Sequence, residues 1–350
     1  MNVEPLVAVL LPVLGALVAV TLVVIFAHAI GLHFAMRARA RVMEPALQTA
    51  LSALTRQHLA NADVALVARL SRRRQIRLFV DLAPSLSGVD QALLTSLAAQ
   101  LGLIATAVRL CRSRVWWRRL EGARLLILCN NSAVDAPLLL RDDHPLVRAA
   151  GAELIGLYGA PGDLERVIPL LRDEAEICRF AAKDALMRGG PGADVVVYAH
   201  LASDDALTAE SLLQVAAVLG GHRFTAVALA RSHDDTARVR LLAARLLGSI
   251  GSASATDRLV ELLADPVPEV RWSSATALAS LVHWPAASAV AALLVDDEWE
   301  VRRRAAIALW RLGAPGQLLL RRARRGENPL AAHAARQALD FATIRRAPAT

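Results

Sequence analysis

The sequence predicts an all-α protein: an α-solenoid of stacked helix pairs that follows one N-terminal transmembrane helix. Three observations carry this. Good helix formers fill long windows, aromatics make up only 4% of the 350 residues, and β-branched alternation is scarce. Leu6 to Ile30 contains no Asp, Glu, Lys or Arg. From Asp142 onward an aspartate is followed six residues later by an arginine, and the pair returns at a period near 31 residues.

The uncharged run sets the first element. Its 25 residues, at about 1.5 Å each, outreach a hydrocarbon core of ~30 Å. Sixteen of them are Leu, Val, Ile or Phe, so insertion is favourable by several kcal/mol on a scale of about −0.3 to −0.6 kcal/mol per such residue. Pro12, Gly15 and His28 do not cancel that sum. Arg37, Arg39 and Arg41 follow at once, whereas only Glu4 precedes the run. The positive-inside rule then puts the N-terminus outside and the rest of the chain in the cytoplasm. Ala27-His28-Ala29 resembles a signal-peptide cleavage site, but no positive charge precedes the apolar run and the run is too long for one. Residues 1–36 are therefore read as a membrane anchor. Residues 37–110 are read as a helical stalk and a divergent N-terminal cap, with breaks at Asn61-Ala62-Asp63 and at Pro84 to Gly88.

The repeat fills residues 111–343. The pairs are Asp142 and Arg148, Asp173 and Arg179, Asp234 and Arg240, Asp265 and Arg271, and Asp296 and Arg302. Between the second and third lies Asp204, where Glu210 replaces the arginine. The anchors 148, 179, 210, 240, 271 and 302 are spaced 31, 31, 30, 31 and 31 residues apart, which chance does not sustain. Apolar residues one before the anchor and six and seven after it, with a small residue three after, share one helical face. Glycine or proline ends each helix, and a second apolar stretch leads to the next aspartate. One repeat is thus a helix pair that cannot bury its faces alone. Arg118-Arg119 with Gly122, Leu125 and Leu126 fits a degenerate first repeat, Asn328 to Phe341 a capping repeat, and residues 344–350 a disordered tail.

Asp-x-x-x-x-Val-Arg-x-x-Ala-x-x-Ala-Leu resembles the HEAT repeat, in the short subtype shared with phycobilin-lyase-like proteins, across Asp142 to Gly313. The resemblance implies that each aspartate caps the second helix of its repeat and that aspartates and arginines form a ladder between neighbours. Asp near a helix N-terminus suits the free N–H groups and the positive dipole end there. The ladder residues are accordingly read as structural. Glu210 departs from the pattern, as a break in the ladder or a bend.

No catalytic motif is found: the P-loop, HExxH, GxSxG and CxxC patterns are absent. The protein is read as a non-enzyme without cofactor or metal. Cys111, Cys129 and Cys178 are isolated and odd in number, as expected of reduced thiols. The net charge of +8 rests almost wholly on arginine, Lys183 being the one lysine. A GC-rich genome accounts for that choice, and such a surface also suits anionic lipid or acidic partners. Arg72, Arg73, Arg74 and Arg77 could lie on lipid, and Arg321, Arg322, Arg324 and Arg325, with Arg302 to Arg304 nearby, form a second basic cluster. Nucleic acid is not expected, given the anchor.

Positions one, five and eight after each anchor point away from the predicted buried face. They carry Phe180, Met187, Val215, Leu241, Arg245, Trp272, Arg303, Ile307 and Trp310. Apolar side chains on that face predict a groove for a protein partner, with Trp and Arg as anchors. The expected function is a membrane-anchored cytoplasmic scaffold that binds a protein partner at the membrane. The architecture resembles bacterial single-span HEAT-repeat proteins often encoded beside membrane glycosyltransferases, which implies a partner of that class and an inner-membrane location. The alternative implied by the phycobilin-lyase resemblance is an enzyme or enzyme subunit of that type.

Overall fold

The computed structural model describes residues 60–82, 89–129, 136–202 and 206–346, with Gln48 and Ser52. The predicted membrane helix, Leu6 to Ile30, lies outside the described residues, as do Asp204 and the Pro84 to Gly88 break. Among the described residues there is no strand, and no single helix is long and apolar enough to cross a membrane. The described residues divide into two compact units, one of residues 60–112 and 124–129, the other of residues 113–123 and from 136 onward.

In the first unit, α1 (Asn61–Ala68), α2 (Arg72–Leu82), α3 (Val89–Gln100) and α4 (Leu103–Cys111) pack around Leu78, Phe79, Leu94, Leu97, Leu103 and Ala107. The triplet Asn61-Ala62-Asp63, read as a break, opens α1: the Asp63 carboxylate accepts from the Ala60 N–H at 3.0 Å. Buried Gln75 donates to the carbonyls of Val67 and Leu70, satisfying the end of α1. The chain turns 77° between α3 and α4 through Gly102, whose φ of 65° suits only glycine cheaply. This bent apolar pair passes for a broken membrane span by length and composition, yet its Leu94, Leu97, Leu103 and Ala107 are core residues.

The second unit is the repeat stack. It takes in the start of α5 (Trp116–Leu128) and α6 (Ala136–Leu139). The second helices of successive repeats are α7 (Pro145–Tyr158), α8 (Glu176–Arg188), α10 (Ala206–Leu219), α12 (Ala237–Ile250), α14 (Pro268–Ser280) and α16 (Trp299–Arg311). Each packs on the next, and the row ends against α18 (Pro329–Arg346). The first helices are shorter: the 3₁₀ stretch Pro161–Arg172, α9 (Ala193–Leu201), α11 (Thr225–Arg231), α13 (Ala253–Glu261), α15 (Ala287–Ala292) and α17 (Ala314–Arg325). Helix α18 continues to Arg346, into the stretch read as a disordered tail.

Two devices hold the row at close spacing. The first is small residues eight and six after the anchor. A Cβ on Gly156 would lie 2.4 Å from the Ala185 Cα, and one on Gly248 would lie 2.5 Å from the Ala277 Cβ. Neighbouring second helices therefore touch nearly backbone to backbone at these points. The second is the ladder. Arg148 grips the Asp173 carboxylate with Nε and Nη2 at 2.7 and 2.8 Å, Arg240 grips Asp265 at 2.8 and 3.0 Å, and Arg271 grips Asp296 with both at 2.7 Å. The remaining Nη1 of each arginine donates back to the carbonyls five and six residues before it, such as Asp265 and Pro266 for Arg271.

The aspartates do not occupy the N-cap position that the family resemblance implied. Each carboxylate accepts from the N–H two residues on, at 2.9 Å for His144, Ala175, Thr236 and Val267 and 3.0 Å for Glu298. That is an Asx turn, and the residue two after the aspartate, not the aspartate itself, is the N-cap of the helix. Six residues is therefore the distance from turn to guanidinium. Where Glu210 cannot donate, Asp234 pairs with Arg231 of its own repeat at 3.2 Å. Glycines 190, 220, 251 and 313 end repeats with positive φ, and Val282 holds the equivalent place at φ 52°, a conformation that disfavours a β-branched residue.

Candidate partner-binding face

The helix geometry that builds the row also decides which predicted groove residues reach the surface. Position one on a second helix lies beside the next repeat, and position five points furthest from the first helices. Phe180 is exposed at 67% and Ile307 at 38%. Arg245 is exposed, and Met187, Trp272, Arg303 and Trp310 are half-buried. Val215 and Leu241 are a correction: both are buried, at 0% and 3% exposure. The close approach of α10, α12 and α14 covers them. The periodicity that placed them outside treats a helix as having one buried face, whereas a helix in a row is also covered on its flanks.

The remaining residues do not form one continuous track. Phe180 and Met187 sit together on α8, with Ile177, also exposed, one turn before Phe180. Arg245 and Trp272 meet at the other end of the row. There a pocket of about 410 Å³ opens among α12, α14 and α16, lined by Arg245, Ser249, Trp272, Thr276, Ser280 and Arg304. The guanidinium of Arg245 lies 5.6 Å from the centre of the Trp272 ring and that of Arg304 lies 4.8 Å from it. These are cation–π distances, one cation arriving from each neighbouring helix. Arg303 turns instead to Trp299, at 5.6 Å.

Arg304, expected only as part of a basic stretch, is absent from the predicted groove residues because it lies two after the anchor, a place held by alanine, leucine or serine in the other repeats. Its charge there was the available signal. Ser113 was missed too. It stands six before Arg119, its hydroxyl accepts from the Val115 N–H at 3.3 Å, and Arg119 donates to its carbonyl. Arg119 also binds the Asp142 carboxylate, so Ser113 serves a first repeat in the place of aspartate.

The titratable groups are mostly structural. The Arg148 guanidinium outweighs burial and holds the Asp173 carboxyl below its ordinary range. Burial alone would push the Asp265 carboxyl up, but Arg240 and the Val267 N–H together bring it below the usual value. Glu300, bonded to Arg303 and Arg304 at 2.6 and 2.7 Å, is drawn down to about 2. The three cysteines are free and buried, and burial pushes the Cys129 thiol up to about 12. Among the described residues no His, Cys, Asp and Glu cluster is placed to hold a metal.

Fold and repeat geometry together define an α-solenoid. A family model of HEAT repeats matches residues 225–289, which spans the Arg240 repeat, the Trp272 repeat and the start of α15. No curated protein matches the chain. Among solved structures, Kap95p in its complex with RanGDP is similar with a TM-score of 0.51 at 12% identity, over 83% of this chain and 48% of that one. The chain thus spans about half of Kap95p, and the likeness is one of fold. YibA of Escherichia coli gives a TM-score of 0.40 at 17% identity over 70% of this chain and 96% of its own. The CpcE–CpcF phycocyanin lyase of Nostoc sp. PCC7120 gives 0.31 at 16% identity, over 68% and 94%. HEAT repeats in an α-solenoid are what the match and the architecture support.

Proposed function

We propose that the chain is a membrane-anchored adaptor of a bacterial cytoplasmic membrane, with its N-terminus outside, its repeat stack in the cytoplasm, and a partner protein bound along the second helices. A membrane glycosyltransferase is the partner class that this reading carries. The observation behind it is the Arg245–Trp272–Arg304 pocket, with Ile307 exposed one turn beyond Arg304. A large aromatic ring under two guanidiniums, beside an open aliphatic residue, has the composition of an interface anchor. The lyase alternative gains nothing from a likeness as slight as that to CpcE–CpcF.

Crosslinking and capture of the full chain from membranes tests the partner. Trp272→Ala and Trp310→Ala should each weaken recovery of the captured membrane protein by roughly thirtyfold, as loss of an anchor worth about 2 kcal/mol would. Both variants should melt close to the parent. Variants that melt lower yet keep the partner would show packing residues, and the groove reading would fall. Orientation has its own test. A phosphatase active only in the periplasm, fused after Thr350, should stay inactive, and strong activity would overturn the cytoplasmic placement.

A further inference from the structure

The chemistry of the Trp272 pocket narrows what the partner presents to it, and the argument rests on the reading of this face as protein-binding. Three hydroxyls on its wall already donate their protons within their own helices. Ser249 donates to the Leu246 carbonyl at 2.7 Å, Thr276 to Trp272 at 2.8 Å and Ser280 to Thr276 at 3.0 Å. The charged donors facing the pocket are the guanidiniums of Arg245 and Arg304. The ligand they favour most is an acceptor.

Charge sharpens this to an anion. Three guanidiniums act on one another here, Arg238 and Arg304 both repelling Arg245. Two carboxylates answer them: Glu300, shared by Arg303 and Arg304, and Glu210, 3.8 Å from Arg238 on an exposed edge. Arg245 makes no ion pair with any described carboxylate. Its proton is held less tightly than an ordinary arginine's because burial, Arg238 and Arg304 all work against its charge. An incoming anion would relieve that repulsion. A carboxylate offers two oxygens to two planar forks, the geometry arginine recognises best. Ile307, open on the same face of α16 as Arg303 and Arg304, offers an apolar contact beside the charges, which a lone inorganic ion would not use.

We propose that the pocket among α12, α14 and α16 seats a carboxylate side chain from an acidic, partly apolar segment of the partner protein, clamped by Arg245 and Arg304 over the Trp272 ring.

The indole N–H resonance of Trp272 in the full-length, detergent-solubilised protein reports occupancy, and its loss in Trp272→Phe assigns it. Three probes are titrated: a short peptide of glutamate and leucine, the same peptide with glutamine for glutamate, and inorganic phosphate. The glutamate peptide should shift the resonance, and added salt should weaken it. Arg245→Gln and Arg304→Gln should each weaken it about tenfold without a change in melting. The glutamine peptide and phosphate should leave it in place. An equal response to the glutamine peptide, or binding retained in the double arginine variant, would overturn the carboxylate clamp. A response to phosphate matching that of the glutamate peptide would make this a simple anion site and overturn the peptide assignment. If the glutamate peptide fails while the membrane partner is still captured, the clamp is wrong and the adaptor reading stands. If the peptide binds and no partner is captured, the adaptor reading falls alone.

Discussion

Gly248→Leu should lower the stability of the repeat stack by about 3 kcal/mol, the upper part of the range for overpacking a filled core. At roughly 2–4 °C per kcal/mol for a unit of this size, the melting temperature should fall by about 6–12 °C. The cause is local. The first carbon of any side chain at 248 would stand 2.5 Å from the Ala277 Cβ and 2.9 Å from its Cα, and backbone cannot move aside as a flexible side chain can. Leucine is the better helix former by about 1 kcal/mol, so a fall in melting measures the clash against a favourable propensity term. Gly162→Leu is the control, because nothing lies within 4 Å of a Cβ there. Thermal melts by circular dichroism that show equal effects at 162 and 248 would contradict the close approach of α12 and α14.

Asp265→Ala should cost about 2–3 kcal/mol, short of the ~3–5 kcal/mol for breaking a fully buried pair because Arg240 keeps some access to water. The side chain ties three groups, the two nitrogens of Arg240 and the N–H of Val267. Asp265→Asn keeps the turn acceptor and loses the charge, so it should fall between the parent and alanine. The same residues govern acid sensitivity. Asp142, Asp173, Asp265 and Asp296 all hold their protons less tightly than free aspartate in the folded chain. Their contribution is complete above the unfolded carboxylate value of about 4 and is lost as pH falls through the lower native values. Melting temperature followed from neutral pH downward should be flat and then drop below about pH 4. The drop should be shallower in Asp265→Asn, and an unchanged acid limb in that variant would remove the ladder from the account.

The repeat register was legible in the sequence because its chemistry is rigid. An Asx turn fixes the start of α7, α8, α12, α14 and α16, and an arginine about one turn inside reaches the turn's carbonyls and, from α7, α12 and α14, the next carboxylate. No other residue type makes those bonds, so Asp-x5-Arg recurs while its neighbours drift. The first repeat was dimmer because Ser113 makes the same turn with a hydroxyl. The binding face was less legible. Val215 and Leu241 have the composition and helical phase of exposed groove residues, and only the spacing between helices, set by glycine and alanine at other positions, shows them covered. Arg304 reads from the sequence only as one of a basic run, and its part in the face shows in the pocket beside Trp272.

The substitution at 210 reaches beyond its own repeat. In a stack where each unit touches only its neighbours, total stability is a sum of unit terms and of couplings between adjacent units. Arg148, Arg240 and Arg271 each supply such a coupling through a bidentate bond. At Glu210 the bond is replaced by a longer contact to exposed Arg238, and Asp234 satisfies itself within its own repeat. The joint between α10 and α12 therefore lacks the bidentate coupling that ties α7 to α8, α12 to α14 and α14 to α16, and its coupling term rests on helix packing and that longer contact.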